Sequence, residues 1–500
     1  MEEKRKPKSK KYVIPGIVLV FIAVGLGIFG YIKVLKKSTA QLMEIVPQDA
    51  AYIIQINNND EFVKSISSCK SYLNDVFALD ALSGFEYFID LTKDDLSDAQ
   101  RLVISGHGNA DNFSLLMSIK MDEKTFSKLL KRLQINPKDY SKFEHYKMYD
   151  IGTHYKKFVI VQHDGVFSAS DNKELLQNSI RTFNSSKSIL KSDGFNEIDQ
   201  LLQKNNRQNW IIIHHERLMG FHLAKINDTF RDSFAAVGNL ASWSAYQVRF
   251  TDNEVSFSGY SLMTKNSFFQ RFVSQSGNHG DLPESILPAQ LNYYVSLQIP
   301  DLAQYSQTST SAEKADLLKL NCQESYCFST TYNDTTLYNY VAVKGDTSQS
   351  FIVSILPEGH TLDSAVSYKK FKIYASGVPH FTNALSSIHQ EVIPNYFTDY
   401  QGYYIFSDSI EPLKAYIDNC LNGQFIEQNQ YYLFSKNNLP SDNRFQLFFQ
   451  NQNKYLDHYL SSQFLRTQSG LENLRVFSYT FSQPIGNLVP NSIYLKFVTN

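Results

Sequence analysis

An apolar stretch without a charged side chain covers residues 12–32. Its 21 residues make a helix of about 31 Å, enough to cross a hydrocarbon core of roughly 30 Å. Six lysines and arginines precede the stretch and three follow closely, so we expect the N-terminus on the cytoplasmic side. We therefore predict a cytoplasmic basic tail over 1–11, a transmembrane signal anchor over 12–32 and a juxtamembrane linker over 33–43.

A cleaved signal peptide is the alternative for this stretch. Its apolar region is longer than the roughly 7–15 residues of a signal peptide, and residues 30–33 lack a small-x-small cleavage site. No second apolar run in the chain approaches the length of a membrane span. We therefore expect a single-pass protein whose remaining residues are extracytoplasmic.

The pattern of apolar and polar positions beyond the linker occurs twice. Residues 45–56 align with 286–297, so that Tyr52 falls on Tyr293. Three further segments of the first half have a match in the second: 146–152 with 371–377, 164–180 with 401–417, and 209–215 with 444–450.

In the match of 164–180 with 401–417, each half contains two acidic residues three positions apart. Each pair lies just before an apolar helical stripe and has the spacing of a helix capping box. We therefore predict that Asp171 with Glu174, and Asp408 with Glu411, cap two helices, and that none of the four is a catalytic acid or base.

Strand patterns outnumber helix patterns, and each half ends in a probable strand-turn-strand unit, at 246–263 and 476–498. Residues 122–134 have a helical apolar stripe with no convincing match in the second half. We predict an α+β protein in which two related domains with antiparallel sheets, 44–265 and 285–500, are joined by a linker over 266–284.

Charge is distributed unevenly along the chain. The first 37 residues have a net charge of +7 and the whole chain −1, which leaves −8 for the remainder. A mildly acidic ectodomain lacks the positive surface that nucleic acid or an anionic membrane surface attracts. We expect no nucleic-acid partner.

Four cysteines are too few for a disulfide framework in a chain of 500 residues. Cys322 and Cys327 could close a small loop in an oxidising compartment, and the alternative is that no bond forms between them. Zinc needs further ligands that the neighbouring sequence does not supply. We predict neither a metal nor a cofactor.

Two short motifs contain candidate chemistry. His214, His215 and Glu216 follow a strand pattern, but neighbouring side chains on a strand point to opposite faces, so the two histidines are not expected to share a metal ion. Residues 105–108 (SGHG) lack the glycine spacing and lysine of a phosphate loop, and we predict a hairpin turn there. No catalytic residue is predicted.

The basic tail, the anchor and the sequence Pro47-x-Asp49-Ala50 before a strand resemble a family of bacterial single-pass membrane-anchored proteins of unknown function with a duplicated extracytoplasmic domain. Gln290 and Leu291 replace Asp49 and Ala50 in the second half. The resemblance lends no catalytic residues. The abundance of Asn, Ser, Tyr and Phe suits an AT-rich Gram-negative genome, so we expect an inner-membrane protein facing the periplasm.

The absence of a catalytic signature, combined with a membrane tether, favours a non-enzymatic envelope protein that binds or scaffolds another envelope protein. A periplasmic module that binds a small molecule or lipid between its two halves is the alternative. A hydrolase without a recognisable motif is the third hypothesis.

Overall fold

The protein is represented by a computed structural model, which describes residues 42–57, 101–109, 112–152, 157–205, 208–231, 238–251, 253–264, 267–272, 284–332, 336–346, 348–385, 392–451, 461 and 473–498. These residues form one antiparallel sheet of twenty strands, with helices packed against it. The predicted α+β class with antiparallel pairing is confirmed. The predicted anchor over 12–32 lies outside the described residues.

No helix within the described ranges has the length and apolar character needed to cross a membrane.

The first half contains ten strands and four helices in its described residues. The strands are β1 (Tyr52–Ile56), β2 (Leu102–His107), β3 (Ser114–Lys120), β4 (Ser141–Phe143), β5 (Tyr146–Gly152), β6 (Lys157–His163), β7 (Val166–Ser170), β8 (Trp210–His214), β9 (Trp243–Phe250) and β10 (Glu254–Leu262). The helices are α1 (Glu123–Arg132), α2 (Lys173–Ser185), α3 (Phe195–Lys204) and α4 (His215–His222).

The second half contains ten more strands and six helices in the part that the structure describes. The strands are β11 (Leu291–Gln298), β12 (Glu324–Tyr332), β13 (Thr336–Lys344), β14 (Val366–Tyr368), β15 (Phe371–Ala375), β16 (Tyr396–Tyr400), β17 (Tyr403–Ser407), β18 (Phe445–Gln450), β19 (Leu474–Phe481) and β20 (Leu488–Phe497). The helices are α5 (Leu302–Tyr305), α6 (Ser311–Leu320), α7 (Gln349–Ser354), α8 (Phe381–Leu385), α9 (Ile410–Leu421) and α10 (Gln430–Asn438).

Strands of the two halves pair in the same order. The first half runs β4-β5-β6-β7-β3-β2-β1-β8-β9-β10. The second half runs β14-β15-β16-β17-β13-β12-β11-β18-β19-β20. Each strand therefore has a counterpart ten strands later, and we use the word counterpart for residues at the same place in the two orders.

The pairing register identifies individual counterparts. Tyr52 pairs with Ile213 of β8, and Tyr293, its partner in the sequence alignment, pairs with Phe449 of β18. Ile213 and Phe449 are therefore counterparts, and His214 corresponds to Gln450. The sequence alignment had matched His214 to Phe449, which is wrong by one residue. An alignment that is shifted by one residue matches side chains on opposite faces of the sheet. Counterparts on the same face are therefore identified from the pairing register in the structure.

One strand pair, β10 with β20, joins the halves into a continuous sheet. It extends over nine residue pairs, from Glu254 opposite Lys496 to Leu262 opposite Leu488. The Glu254 carboxylate and the Lys496 ammonium are 2.7 Å apart across it. We call this pair the seam. The terminal strand-turn-strand units predicted in each half are confirmed as β9–β10 and β19–β20.

Both faces of the sheet carry a hydrophobic core, because alternate side chains of a strand point to opposite faces. Ile54 packs with Phe126 of α1 on one face, which we call the α1 face. Ile53 packs with Leu176 of α2 on the other, the α2 face. The second half repeats this division, with Leu317 of α6 in one core and Leu413 of α9 in the other.

Neither predicted capping box forms. In α2 the N-cap is Asn172, whose side-chain oxygen accepts from the backbone N–H groups of Glu174 and Leu175. Asp171, one residue earlier, accepts from the backbone N–H of Leu115 at 3.3 Å and so ties β3 to the start of the helix. The prediction missed because Asp and Asn are both good N-caps and only one can occupy the position.

In the second half the N-cap is also one residue later than predicted. Ser409 is the N-cap of α9 and makes no side-chain capping bond, while the Asp408 carboxylate accepts from the Ser409 hydroxyl at 3.0 Å. Glu411 forms an ion pair of 2.7 Å with Lys414 on the same helix. Pro412 lies in the first turn of α9, as its missing N–H allows.

The helix predicted over 122–134 is confirmed as α1, and Asp122 is its N-cap. Phe126, Leu129 and Leu130 are its buried residues. At the same place in chain order, between β13 and β14, the second half has the shorter helix α7.

Candidate functional site

Three polar side chains meet where the chain enters the sheet. The turn at 47–51 leads into β1, and the backbone N–H of Ala51 donates to the carbonyl of Gly106 in β2 at 2.8 Å. Ser105 and His107 flank this glycine and project to the same face, because they are two residues apart on one strand. Asp49 belongs to the turn, which this backbone bond holds beside the end of β2.

The three side chains form a linear hydrogen-bonded series. His107 Nδ1 is 2.8 Å from Asp49 Oδ1, and His107 Nε2 is 2.8 Å from Ser105 Oγ. An ionised carboxylate only accepts, so His107 Nδ1 carries a proton and donates to Asp49, and in the neutral tautomer with this proton Nε2 accepts from the serine hydroxyl. This is the connectivity of a Ser-His-Asp hydrolase triad.

Burial limits what this series can do. Ser105 is 0% exposed and His107 is 3% exposed, whereas the Asp49 side chain is 62% exposed. Solvent therefore reaches the carboxylate end and not the hydroxyl. In this conformation the geometry fixes the 47–51 turn against β2, and no substrate can contact Ser105 Oγ.

Arg217 of α4 holds the same turn from the opposite side. Its Nη1 donates to the carbonyl oxygens of Ala50, at 3.2 Å, and of Gln48. Desolvation raises the pKa of Asp49, but the hydrogen bond from His107 and the charges of His107 and Arg217 lower it more, so the net pKa lies below its ordinary value. Asp49 is consequently ionised at neutral pH.

His214 and His215 contact different faces of the sheet, although they are not neighbours on one strand as the sequence predicted: β8 ends at His214 and α4 begins at His215. The His214 ring packs edge-on against Trp243 in the core of the α2 face, with 4.6 Å between ring centroids, and its Nδ1 accepts from the Arg217 backbone N–H. His215 Nε2 lies 2.6 Å from Ser244 Oγ, on the next residue of β9 and therefore on the opposite face. Among the residues that the structure describes, no group of three His, Cys, Asp or Glu could hold a metal ion.

His215 begins a buried polar chain that crosses the seam. Ser244 contacts Ser261 of β10 at 2.5 Å, and Asn491 of β20 donates to Ser261 Oγ at 2.7 Å. Burial lowers the pKa of His215 to about 4, so its ring is neutral at physiological pH. The chain links α4 and β9 of the first half to β20 of the second.

The sequence left open whether Cys322 and Cys327 are bonded, and in the structure both are free. Both cysteines are buried and neither is part of a disulfide. Cys322 follows α6 and Cys327 lies within β12, and the hydrophobic core around them raises the pKa of the Cys322 thiol to about 12. Burial in a core, without oxidation, accounts for both residues.

The sequence pattern does not reveal the Asp49–His107–Ser105 series, because it predicts a hairpin turn at residues 105–108. The structure confirms that β2 and β3 pair as a hairpin, but Ser105 and His107 belong to the strand and the left-handed turn residue is Gly108. A usable signal was present: a serine and a histidine two positions apart in a strand pattern share a face. Nothing in the sequence indicated that Asp49 would lie next to them.

The second half has no such series at the same place. Ser105 pairs with Ile53 of β1, and Phe328 pairs with Tyr294 of β11 at the counterpart position. Gln290 replaces Asp49 in the aligned turn. The polar series belongs to the first half alone.

Comparisons with known proteins give little further information. No protein-family model matches the chain, and no curated protein matches it. Among solved structures, crystal forms I and III of TP0453 are similar, each at 9% identity, with TM-scores of 0.26 and 0.25 and coverage of 45% and 46% of this chain and 80% and 83% of that one. Crystal form IV has 8% identity and a TM-score of 0.24, covering 44% of this chain and 79% of the other.

Proposed function

We propose that this protein is a non-enzymatic, membrane-anchored envelope protein whose extracytoplasmic part is a scaffold that binds another envelope protein through its second half. The anchor is the apolar stretch 12–32, with the basic tail in the cytoplasm and the sheet in the periplasm. The two halves are proposed to be copies of one α+β domain, since their strands pair in the same order.

One observation carries the choice of the second half. In the described part of the chain, the large apolar side chains that remain well exposed all belong to that half: Leu318, Val353, Val366, Ile393, Leu421, Leu433, Phe434 and Ile485. These side chains lie on separate elements on both faces of the sheet, and Leu433 and Phe434 are adjacent on α10. Their restriction to one of two halves with the same strand order favours an interaction role for that half. The first half is the internal comparison, because it has the same strand order without such well-exposed large apolar side chains among its described residues.

The seam supports a scaffolding role for the pair of halves. Nine backbone pairs and the buried chain from His215 to Asn491 hold the second half to the first, so a partner bound by the second half keeps a fixed relation to the anchored first half. A tether and a rigid platform raise the local concentration of the partner at the membrane.

Site-specific photo-crosslinking in the native membrane tests this proposal. A photoreactive residue replaces one of the exposed apolar side chains of the second half, or an exposed polar residue of the first half such as Lys128. Adducts with one envelope protein from second-half positions only are expected. Absence of an adduct from every position, or equal yields from the two halves, would contradict the proposal.

Membrane attachment has a separate test. The full-length protein should stay with the membrane during alkaline carbonate extraction, and a variant without residues 1–37, exported by a cleavable signal, should be released with the periplasmic fraction. Recovery of the full-length protein in the soluble fraction would contradict the anchor.

A hydrolase is the second candidate function, and the order of Ser105, His107 and Asp49 is the observation that favours it. A fluorophosphonate probe tests whether Ser105 can react, because its hydroxyl oxygen would displace fluoride from phosphorus and pass its proton to His107. Because Ser105 is fully buried, we expect the protein in its native membrane to stay unlabelled. Labelling that is lost in Ser105→Ala would establish the hydrolase instead.

A further inference from the structure

His163, the last residue of β6, has its imidazole ring buried on the α2 face. The residue is 1% exposed, and Val161, on the same side of the strand, belongs to the core of that face. Neither ring nitrogen has a hydrogen-bond partner in the part of the chain that the structure describes. A neutral imidazole has one N–H donor and one acceptor nitrogen, and buried groups of this kind are nearly always paired. The two unpaired nitrogens therefore require an explanation.

Two aromatic side chains from different elements cover the ring of His163. The rings of Tyr146 on β5 and Phe183 on α2 lie edge-on to it, with 5.6 and 5.4 Å between centroids. The Tyr146 hydroxyl donates to the Asp164 carboxylate at 2.7 Å, so its proton is used there. These contacts exclude water from His163 and give its nitrogens no hydrogen bond in return.

The elements around the ring also hold charged and titratable groups: Glu144 and His145 in the β4–β5 turn, Asp164 in the turn after β6, and Lys173 and Arg181 on α2. The printed contacts of these groups are with other residues. Glu144 accepts from the Asn184 amide at 2.5 Å, the Arg181 guanidinium lies 4.9 Å from the centre of the Phe143 ring, and Lys173 donates to Ser141 at 3.2 Å. Burial lowers the pKa of His163 to about 4, and the charge of Asp164 offsets this only in part. The closed arrangement therefore does not stabilise a proton on His163.

The β4–β5 hairpin, which supplies Tyr146, is at the outer edge of the sheet. β5 pairs with β6 at five residues, and its other neighbour, β4, has three. No described strand pairs with the outer side of β4. The hairpin can consequently separate from β6 while β6, β7 and β3 stay paired. Segments with few neighbours are those that open locally without global unfolding.

The second half has a tyrosine, Tyr400, at the counterpart of His163. Both residues precede the two-residue turn of a hairpin, β6–β7 and β16–β17. The Tyr400 ring lies 6.0 Å from that of Phe371, the counterpart of Tyr146, and its hydroxyl accepts from Gln401 at 3.3 Å. Burial raises the pKa of Tyr400, so its phenol stays neutral in acid. The second half therefore has a similar aromatic contact without a histidine.

We infer that His163 is an acid-sensitive switch, and that its protonation releases the β4–β5 hairpin and the last turn of α2 from β6 while the second half stays closed. In the open arrangement water reaches the imidazolium, and the carboxylate of the neighbouring Asp164 is available to it. Opening exposes Tyr146, Phe183 and the edge of β6. The inference concerns the first half and does not depend on the scaffold role.

The size of the response follows from the pKa of His163 in the two arrangements. The pKa is about 4 in the closed form and about 6.5 when water surrounds the ring. The closed form therefore loses stability relative to the open form as pH falls from about 6.5 to 4. Between pH 7.5 and pH 5 the equilibrium constant for opening rises about 30-fold.

Hydrogen exchange of the full-length protein measures this opening segment by segment. Protection at pH 7.5 and pH 5 is compared after correction for the intrinsic exchange rates. We expect about a 30-fold loss of protection over 146–152 at pH 5, with a parallel loss over 182–185. The counterpart segments, 371–375 and 417–421, should change by less than about twofold, because no histidine is buried there.

Three variants separate the titration of His163 from other effects of acid. His163→Phe keeps an aromatic ring and His163→Leu a smaller apolar side chain, so a packing defect in one variant does not decide the result. His145→Phe is the matched control, because His145 is an exposed histidine of the same hairpin. We expect both His163 variants to lose the acid response and His145→Phe to retain it.

Four results would overturn the inference. They are an unchanged protection of 146–152 in the wild type at pH 5, an equal loss in the counterpart segments of the second half, a full response in both His163 variants, and a loss of the response in His145→Phe. The first would show that acid does not open the hairpin, and the second that acid unfolds the sheet as a whole. The last two would assign the response to other groups.

Discussion

Ser258 in β10 pairs directly with Ser492 in β20. The two residues are also counterparts. Tyr246 of β9 pairs with Gly259 of β10, and its counterpart Tyr479 of β19 pairs with Ile493 of β20. Ser258 is the residue before Gly259, and Ser492 is the residue before Ile493. The seam is therefore symmetric about this pair, with each half contributing the same strand.

Gly259→Ala should destabilise the protein. A Cβ atom at this position would overlap the backbone carbonyl oxygen of Ala245 in β9 and lie 2.9 Å from its carbon, so the two strands must separate. We expect a loss of about 1–3 kcal/mol in the free energy of unfolding, which urea denaturation measures. Gly220→Ala is the control, because a Cβ there meets nothing within 4 Å. Equal effects of both substitutions would contradict the steric argument.

Asn172→Ala should cost about 1 kcal/mol of stability, because the Asn172 side chain accepts two backbone N–H groups at the start of α2. Ser409→Ala, at the N-cap of α9, should change stability by less than about 0.5 kcal/mol, since its side chain makes no capping bond. Thermal unfolding of the two variants compares them directly. A larger loss from Ser409→Ala would show that the caps are assigned to the wrong residues.

His163→Phe should make the protein more stable in mild acid. Burial lowers the pKa of His163 to about 4, despite the nearby charge of Asp164, and no described group hydrogen-bonds to either ring nitrogen. The unfolded chain binds this proton near pH 6.5 and the folded protein does not, so stability is lost as pH falls from about 6.5 to 4. The loss reaches about 2 kcal/mol at pH 5 relative to pH 8.

Phenylalanine removes that titration and keeps the packing against Tyr146 and Phe183, whose ring centroids lie 5.6 and 5.4 Å from that of His163. Urea unfolding at pH 8, 6.5 and 5 should therefore show a shallower decline for the variant than for the wild type. Parallel curves for the two proteins would mean that His163 does not titrate between the folded and unfolded states as described.

Asp49→Asn should have an effect that disappears in acid. The folded-state pKa of Asp49 is below its ordinary value, so the carboxylate stabilises the fold above about pH 4 and the contribution is lost as pH falls toward the folded-state pKa. We expect a small loss at pH 7, below about 1 kcal/mol because the side chain is mostly exposed, and a progressively smaller difference from wild type as the pH falls below 4. A loss that persists unchanged at pH 2 would contradict the electrostatic origin.

Cys322 and Cys327 should both react with a maleimide once the protein is unfolded, without any reducing agent. In the native protein both are buried, and the high pKa of the Cys322 thiol further suppresses its reaction. Mass spectrometry of the peptide that contains both residues checks this, and two added labels are expected. A peptide that gains labels only after reduction would establish the bond that the sequence suggested.

The sequence predicted the fold class and the terminal hairpins because these depend on local alternation of apolar and polar residues. It placed Tyr52 over Tyr293, where similar residues occupy similar environments. The sequence alignment is wrong at β8, because the three isoleucines Ile211–Ile213 can be aligned with β18 in several ways. Only the pairing of each strand with its neighbour, β8 with β1 and β18 with β11, selects one alignment. Caps were missed by one residue for a related reason, since adjacent polar residues compete for a single position.

Little of the candidate site could have been predicted. Ser105 and His107 share a face through their spacing, but Asp49 reaches them only because β1 pairs with β2, and the chain between those strands is long. The exposed apolar side chains of the second half depend on another kind of information. Leu433 and Phe434 resemble core residues in sequence, and their exposure is apparent only when the helix is placed on the sheet.

The position of β1 determines how the protein carries mechanical load. The described chain begins at 42–46 and continues through the 47–51 turn into β1, which lies between β2 and β8 and is hydrogen-bonded to both. When the N-terminal side is pulled along the strand axis, the hydrogen bonds of β1 with β2 and with β8 are sheared together and are not broken one after another. Leu42, Met43, Ile45 and Val46, which are buried in the core of the α2 face before the turn, take this tension first. The turn, held by His107 and Arg217, and the hydrogen bonds of β1 to both neighbouring strands follow.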